Sequence, residues 1–315
     1  MTTRATIGTL TAAASAPRRD TAHHWHLVIV CILAGAFLLA VAVYGFDYYT
    51  LGATARPLSP KHAMLRPSGS IGIKLGMLGT ALFFGIYFYY FRKHWGWLRN
   101  LGTTKHWLDM HIVMGVTAPL VIAFHSAFKF RGIAGMAFWI MVAVALSGVV
   151  GRYLYGQIPR HLNAAELSWQ ELQQERDRLT AQLASQKIFT EAQVTWAFRF
   201  PTVSHVKHLS AISALVYMFW LDLIRPFRVA ALRRRALGFF GILVTLGGLF
   251  PSGRYEIERV IRTARHQATL TKRMLFLSRT QQVFQLWHVV HRPFSYAFVV
   301  LALLHIATAM LLGYL

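Results

Sequence analysis

The chain has 315 residues, of which 55% are hydrophobic and 14% are charged, and its mean hydropathy is +0.42. Soluble proteins of this length rarely have that composition, so the sequence indicates an integral membrane protein. The formal net charge of +22 suits basic segments that meet anionic lipid or an acidic partner protein, and we expect no nucleic-acid partner.

Five apolar runs are each long enough to cross a bilayer core of about 30 Å as a helix. They cover residues 27–46, 71–91, 107–128, 133–155 and 284–312. We therefore predict an all-α, polytopic helical membrane protein. The first run is too long for the core of a signal peptide and has no small-residue cleavage pattern after it, so we expect it to be retained.

The segments before and between these runs differ in composition. Residues 1–26 form a polar N-terminal tail, and residues 27–155 form a four-helix membrane portion. Within the region 156–207, the stretch 163–186 begins with an Asn-x-x-Glu cap and spaces its leucines along one helical face. It predicts an extramembrane cytoplasmic helix that packs on its own protein or on a partner.

The region 208–282 contains two apolar runs, 209–224 and 236–250, that are shorter than a usual membrane span. A basic stretch separates them, and we predict a short re-entrant or interfacial hairpin. A basic amphipathic segment on the membrane surface follows. Residues 283–315 form the final transmembrane helix.

Lysine and arginine concentrate in the tail, in 92–105 and in 152–279. Cytoplasmic loops of membrane proteins carry an excess of these residues, so these segments are assigned to the cytoplasm. The loops 47–70 and 129–132 and the C-terminus then face outward. We expect a multi-pass protein of the bacterial inner membrane.

Four histidines stand out because they lie inside apolar runs and share one spacing. His111 and His125 are fourteen residues apart, and so are His291 and His305. Fourteen helical residues return within about 40° of the same face and rise by about 21 Å. Two histidine pairs on two spanning helices therefore place one imidazole near each side of a bilayer.

The two helices run parallel if the short hairpin crosses the membrane twice or not at all. His111 is then level with His291, and His125 is level with His305. Neutral imidazole is a good axial ligand for haem iron, and helix bundles hold cofactors between facing helices. The simpler alternative is four buried imidazoles, each hydrogen-bonded to a neighbour.

These paired His-x13-His helices resemble the di-haem transmembrane cytochromes b. The parallel arrangement is closest to the ferric reductase-like transmembrane domain that NADPH oxidases share, and the resemblance covers about 105–155 and 284–312. It implies that electrons pass between two b haems. By position, the axial ligands would be the four histidines of the pairs: His111, His125, His291 and His305.

Two departures from that family bear on the partners. Ferric reductases continue into a cytoplasmic flavin and nicotinamide module, whereas this sequence ends three residues after its last predicted span. The stretch HRPFS at 291–295 imitates a flavin-binding pattern but lies inside a predicted membrane helix, and the chain has no G-x-G-x-x-G. We therefore expect a subunit of an oxidoreductase complex, with quinone or an iron–sulfur or flavin subunit as donor and an outward acceptor such as a c-type cytochrome.

The single cysteine, Cys31, lies in the first span, which excludes a disulfide, a cysteine-ligated iron–sulfur cluster and the attachment motif of c-type haem. Arg292, Lys129 and Arg131 lie near the ends of the proposed haem pair, where they would meet haem propionates or anchor the membrane edge. Asp109 is interpreted as an acid at a helix start or a group that orients an imidazole. The rival function is a haem-free transporter or a scaffold subunit of a larger membrane complex.

Overall fold

The computed structural model describes residues 18–158 and 165–314. Within these ranges the chain forms α-helices and one short 3-10 turn, and it forms no β-strand. The all-α class is therefore confirmed. The helices are α1 (Arg18–Tyr44), α2 (Phe46–Tyr49), α3 (His62–Leu65), α4 (Ser70–His94), α5 (Gly96–Arg99), α6 (Thr104–His125), α7 (Gly132–Gln157), α8 (Ala165–Ala184), α9 (Glu191–Ala197), α10 (Val203–His208), α11 (Ala211–Ala236), α12 (Phe239–Val244) and α13 (Tyr255–Leu311).

Five helical segments of the described chain are long and apolar enough to cross a membrane, as the sequence predicts. They are Ala22–Tyr44, His62–Arg92, Thr104–His125, Gly132–Gln157 and Tyr255–Leu311. The protein is a multi-pass membrane protein. Helix α1 begins at Arg18, so part of the predicted polar tail is helical, while residues 1–17 lie outside the described ranges.

The chain divides into two compact units. The first contains Met1–Val149 and Pro293–Leu315, and the second contains Val150–Arg292. Each unit has buried apolar clusters of its own. The candidate histidines are distributed between them, with His291 at the end of the second unit.

In the first unit, α4 and α6 form an antiparallel pair closed by a buried arginine. Arg92 donates to the Thr104 hydroxyl at 3.0 Å and to the Gly102 carbonyl at 2.8 Å. Its side chain is only 7% exposed, and these bonds hold the connection between the two helices. A charged donor satisfied by neutral acceptors in this way fixes where α6 begins.

The connection between α1 and α4 is a packed cap rather than the open loop that its Pro, Ser and Gly content suggests. Tyr48 and Leu65 are fully buried there against Ala127, which follows α6. Arg56 donates to the carbonyls of Tyr49 and Ala127 and is itself buried. Its guanidinium thereby links the cap to the turn after α6.

The second unit has a core to which α8 contributes. Leu179 is buried, and Leu183 packs against a cluster that includes Phe189, Val229 and Ile261. Of the two arrangements that the sequence left open for this amphipathic helix, the described part of α8 packs on its own protein.

The short predicted hairpin has different bounds in the structure. The basic stretch that separates the two apolar runs is not a connection, because α11 continues through it to Ala236. Arginine is a good helix former. Arg233 is buried, and its Nε and Nη2 atoms donate to the two carboxylate oxygens of Glu258 at 2.8 and 2.7 Å. The second run forms only α12 and a turn in which Leu246 has a positive φ of 46°.

The predicted surface segment and final span are also not separate. Helix α13 runs for 57 residues from Tyr255 to Leu311 without a break. The sequence between the two predicted segments contains neither glycine nor proline, so nothing ends the helix there. At 1.5 Å per residue it is about 86 Å long, nearly three times the thickness of a bilayer core, so only part of it can lie in the hydrocarbon.

Candidate functional site

Both candidate histidines of α6 are held by backbone carbonyls of α4. The Nδ1 atom of His111 lies 3.1 Å from the Ile86 carbonyl oxygen, and Nδ1 of His125 lies 2.8 Å from that of Gly72. A carbonyl oxygen only accepts, so each Nδ1 carries the proton and donates it. Each Nε2 is therefore left with the lone pair that a metal ligand needs.

The two carbonyls repeat the spacing of the histidines. Gly72 and Ile86 are fourteen residues apart on α4, as His111 and His125 are on α6. Because α4 and α6 are antiparallel, the Gly72 carbonyl meets His125 and the Ile86 carbonyl meets His111. The same bond is therefore built at two levels about 21 Å apart along the helix pair.

Glycine at position 76 makes room for the His125 ring. A Cβ atom there would lie 2.8 Å from both Cε1 and Nδ1 of His125, closer than such atoms pack. Two more glycines on α4 face α6 in the same way, Gly79 against Ile122 and Gly85 against Met114. Small residues along one helix face allow two helices to approach closely in a membrane.

His305 lies in the same unit as His125, on the last part of α13. The two imidazoles are near enough to interact electrostatically. The His305 ring is exposed, and no residue of the described chain hydrogen-bonds to it. The two members of one predicted ligand pair thus lie in the same unit.

Apolar side chains lie at half height between the two levels. Ala118 is seven residues from both histidines of α6 and is buried, and Phe298 is seven residues from both histidines of α13 and is buried. Seven residues return to nearly the same helix face. Phe298 packs edge-on against Phe83 with ring centroids 4.6 Å apart, so the space between the levels is apolar.

In the second unit, an indole fixes the neighbourhood of His291. The rings of Trp287 and His291 stack with centroids 4.7 Å apart and an interplanar angle of 28°. Trp287 in turn lies against Gly151 of α7, where any Cβ atom would collide with the indole. The absence of a side chain at Gly151 therefore makes room for the residue that contacts His291.

The pairing of His111 with His291 stays a prediction, since the two residues belong to different units. The basic residues proposed for propionates are all exposed: Lys129 and Arg131 follow α6, and Arg292 follows His291. Their assignment to propionates or to the membrane edge also stays a prediction.

Another histidine has a role that the sequence did not reveal. Nε2 of His23 in α1 lies 3.2 Å from a carboxylate oxygen of Asp109, and its ring stacks on His106 at 3.5 Å. The His23 and Asp109 side chains are 14% and 11% exposed. Asp109 does orient an imidazole, but that of His23 rather than that of a candidate ligand. The two residues are 86 positions apart, so no local pattern indicates the pair.

No group of three or more His, Cys, Asp or Glu side chains arranged to hold a metal ion occurs among the described residues. Axial ligation of haem needs only two imidazoles at each level, since the macrocycle supplies the other iron ligands. Compared with protein-family models, curated proteins and solved structures, the chain matches none of them.

Proposed function

We propose that this protein is a membrane cytochrome b that carries electrons across the bilayer through two haem b groups. The axial ligands would be His111 with His291 at the cytoplasmic level and His125 with His305 at the outward level. The single observation that carries the proposal is the repeated bond on α6, where backbone carbonyls of α4 hold Nδ1 of His111 and of His125 and leave each Nε2 available to a metal.

The donor groups suit haem iron. His111 and His125 each have the proton on Nδ1, which leaves Nε2 for coordination, and a backbone carbonyl is a common partner for the second nitrogen of a ligating histidine. A bound haem would supply a reversible one-electron carrier at each level. Gly76 leaves the space that the His125 ring occupies, and the Gly72 carbonyl orients that ring.

The remaining residues of the site exclude water and set the spacing. Phe298 and Phe83 would fill the space between the levels, and Ala118 is a small buried residue of α6 at the same height. In the second unit, Trp287 holds the His291 ring by stacking. An apolar, rigid surrounding lowers the dielectric around a redox centre and restrains its ligands.

We further propose the partners and the location. No nicotinamide- or flavin-binding glycine motif occurs in the sequence, so electrons would come from quinone or from an iron–sulfur or flavin subunit. An outward protein such as a c-type cytochrome would accept them. The basic segments favour the bacterial inner membrane with 152–279 in the cytoplasm, in a complex with these partners.

Replacing the four histidines singly by alanine tests the ligand assignment. In potentiometric titrations of the purified full chain, His125→Ala and His305→Ala should remove the same one of two redox transitions. His111→Ala and His291→Ala should remove the other. His266→Ala is the matched control, because His266 is an exposed histidine of α13 that lies outside both pairs.

Two outcomes would contradict the proposal in different ways. Loss of the same transition in His125→Ala and His291→Ala would mean that the two ligand helices are antiparallel. A wild-type chain that binds no haem would favour the rival, a haem-free transporter or scaffold subunit whose histidines serve packing alone.

A further inference from the structure

A second feature of the protein lies in the second unit and involves none of the candidate haem ligands. A cavity of about 440 Å³ opens beside α10 and α11. Its wall includes Arg199, Thr202, His205, Tyr217 and Arg228. A second, much smaller cavity shares Arg199 and Arg228 and adds the half-buried Arg225.

Two of these arginines lack a partner. Within the described ranges, neither Arg199 nor Arg228 makes a hydrogen bond, an ion pair or a cation–π contact. Arg228 is half-buried, so its charge is partly removed from water without compensation from the protein. A guanidinium in that position is stabilised by an anion that reaches it.

The nearby carboxylate is already used. Asp222 contacts Nζ of the buried Lys272 at 2.5 Å and accepts a hydrogen bond from the Tyr153 hydroxyl at 2.7 Å. Its other oxygen lies 3.5 Å from Arg225. One negative charge thus faces two cations there, and among the described residues no acidic side chain lines either cavity. The cavity keeps an excess of positive charge.

The other lining groups suit an oxyanion. His205 has a ring N–H and Tyr217 presents an aromatic ring with a phenol at its edge, while the Thr202 hydroxyl already caps α10 and bonds to Ser204. Guanidinium groups form paired, charge-assisted hydrogen bonds to phosphate or carboxylate oxygens. The cavity is large enough to admit a phosphate group together with part of the molecule that carries it.

An exposed apolar stripe runs along another face of α11. Its residues recur every three or four positions, and each is about half exposed or more: Ile212, Val216, Phe219, Leu223 and Phe227. The centre of the stripe lies about 140° around the helix from the centre of Tyr217, Leu221 and Arg228. On a membrane protein such a face meets acyl chains, and a basic pocket beside it meets lipid head groups.

We propose that this cavity binds a phosphate group, and that a phospholipid of net negative charge brings it. The guanidinium groups of Arg199 and Arg228 hold the phosphate oxygens, while the acyl chains lie along the apolar stripe of α11. The site is independent of haem binding, since none of its residues is a candidate haem ligand.

Binding to the detergent-solubilised full chain tests the proposal with three ligands: dihexanoyl phosphatidylglycerol, dihexanoyl phosphatidylcholine and inorganic phosphate. We expect titration calorimetry to show the phosphatidylglycerol bound most tightly. Arg199→Gln/Arg228→Gln should weaken its binding by at least about tenfold, because each charge-assisted bond contributes roughly that factor. Lys187→Gln/Arg234→Gln removes the same charge from exposed sites and should change the affinity less than about twofold.

Each further outcome has a definite meaning. Arginine-dependent binding of inorganic phosphate as tight as that of the lipid would support the phosphate site and assign its ligand to a water-soluble molecule. Equal losses in the two double variants would overturn the proposal, because binding would then follow net charge. Absence of binding by all three ligands would overturn it as well. Arg199→Gln alone changes an exposed side chain, so a weaker affinity in it cannot be attributed to failed folding.

Discussion

Gly76→Ala is the most direct perturbation of the support that α4 gives to a candidate ligand. The new methyl group would lie 2.8 Å from Cε1 and Nδ1 of His125. Ordinary contact begins near 3.4 Å, so the ring must withdraw by about 0.6 Å, because an imidazole on a rigid helix cannot deform. The bond from Nδ1 to the Gly72 carbonyl lengthens or breaks as a result.

The expected cost falls on haem binding rather than on folding. Loss of an outer partner of a metal-ligating histidine typically weakens metal binding by roughly tenfold to a hundredfold, which is about 1.4 to 2.7 kcal/mol. Alanine for glycine within a helix favours the helix by about 0.5 to 1 kcal/mol. This gain roughly offsets the weakened hydrogen bond to the Gly72 carbonyl, so the thermal stability of the haem-free chain should stay nearly constant while haem binding weakens.

The assay measures how fast the purified chain loses haem to excess apomyoglobin. Potentiometric titration of samples taken over time shows which of the two redox transitions disappears. Gly76→Ala should accelerate loss of the haem assigned to His125 and leave the one assigned to His111 unchanged. Gly85→Ala is the control, since its methyl group meets only the flexible end of Met114, 2.7 Å away at the sulfur. The reasoning is refuted if the two variants lose haem equally fast, or if Gly76→Ala affects the His111 level.

Three further predictions concern stability and topology. Tyr49→Phe should raise the free energy of unfolding by up to about 1 kcal/mol, since the described chain offers the buried Tyr49 hydroxyl no partner. Burial raises the pKa of Tyr49 to about 12, so above pH 10 the unfolded state ionises while the folded state resists, and the gain in thermal melts should grow there. An unchanged melting profile at pH 7 and pH 11 would argue against this. Asp222→Ala should lower the free energy of unfolding, measured with urea, by about 3 to 5 kcal/mol, because it removes the carboxylate paired with the buried Lys272. Asp222→Ala/Lys272→Met should recover most of that loss, and equal stability of the single and double variants would show that the pair is not coupled. In a cysteine-free background, Tyr314→Cys should react with an impermeant maleimide from outside, whereas Ser168→Cys should react only after lysis. The opposite labelling pattern would invert the proposed direction of electron transfer.

Hydropathy and residue spacing were enough to predict features that lie within a single helix, such as a membrane span or a shared helix face. The spans and the shared face of His111 and His125 follow from the apolar runs and the helical repeat. The length of α13 was not predicted, because its basic first half and its apolar second half look like different environments although no helix breaker separates them.

The supports of the site were not visible in the sequence, since backbone carbonyls have no sequence signal. The Gly72 carbonyl that holds His125 is an example. One signal was present, however: the glycines of α4 at 72, 76 and 79 follow the small-residue spacing of close helix pairs, which would have indicated that α4 packs on a neighbour. The contact of His23 with Asp109 depends on tertiary packing alone.

Haem stoichiometry is the decisive measurement for a helical bundle that holds two haems at two levels. The purified full chain is measured by oxidised and dithionite-reduced absorption spectra and by pyridine haemochrome quantification. We expect two haem b groups per chain, both six-coordinate and low-spin, because two imidazoles are available at each level. A chain without haem would rule out the proposed function, and a chain with one haem would rule out the second level.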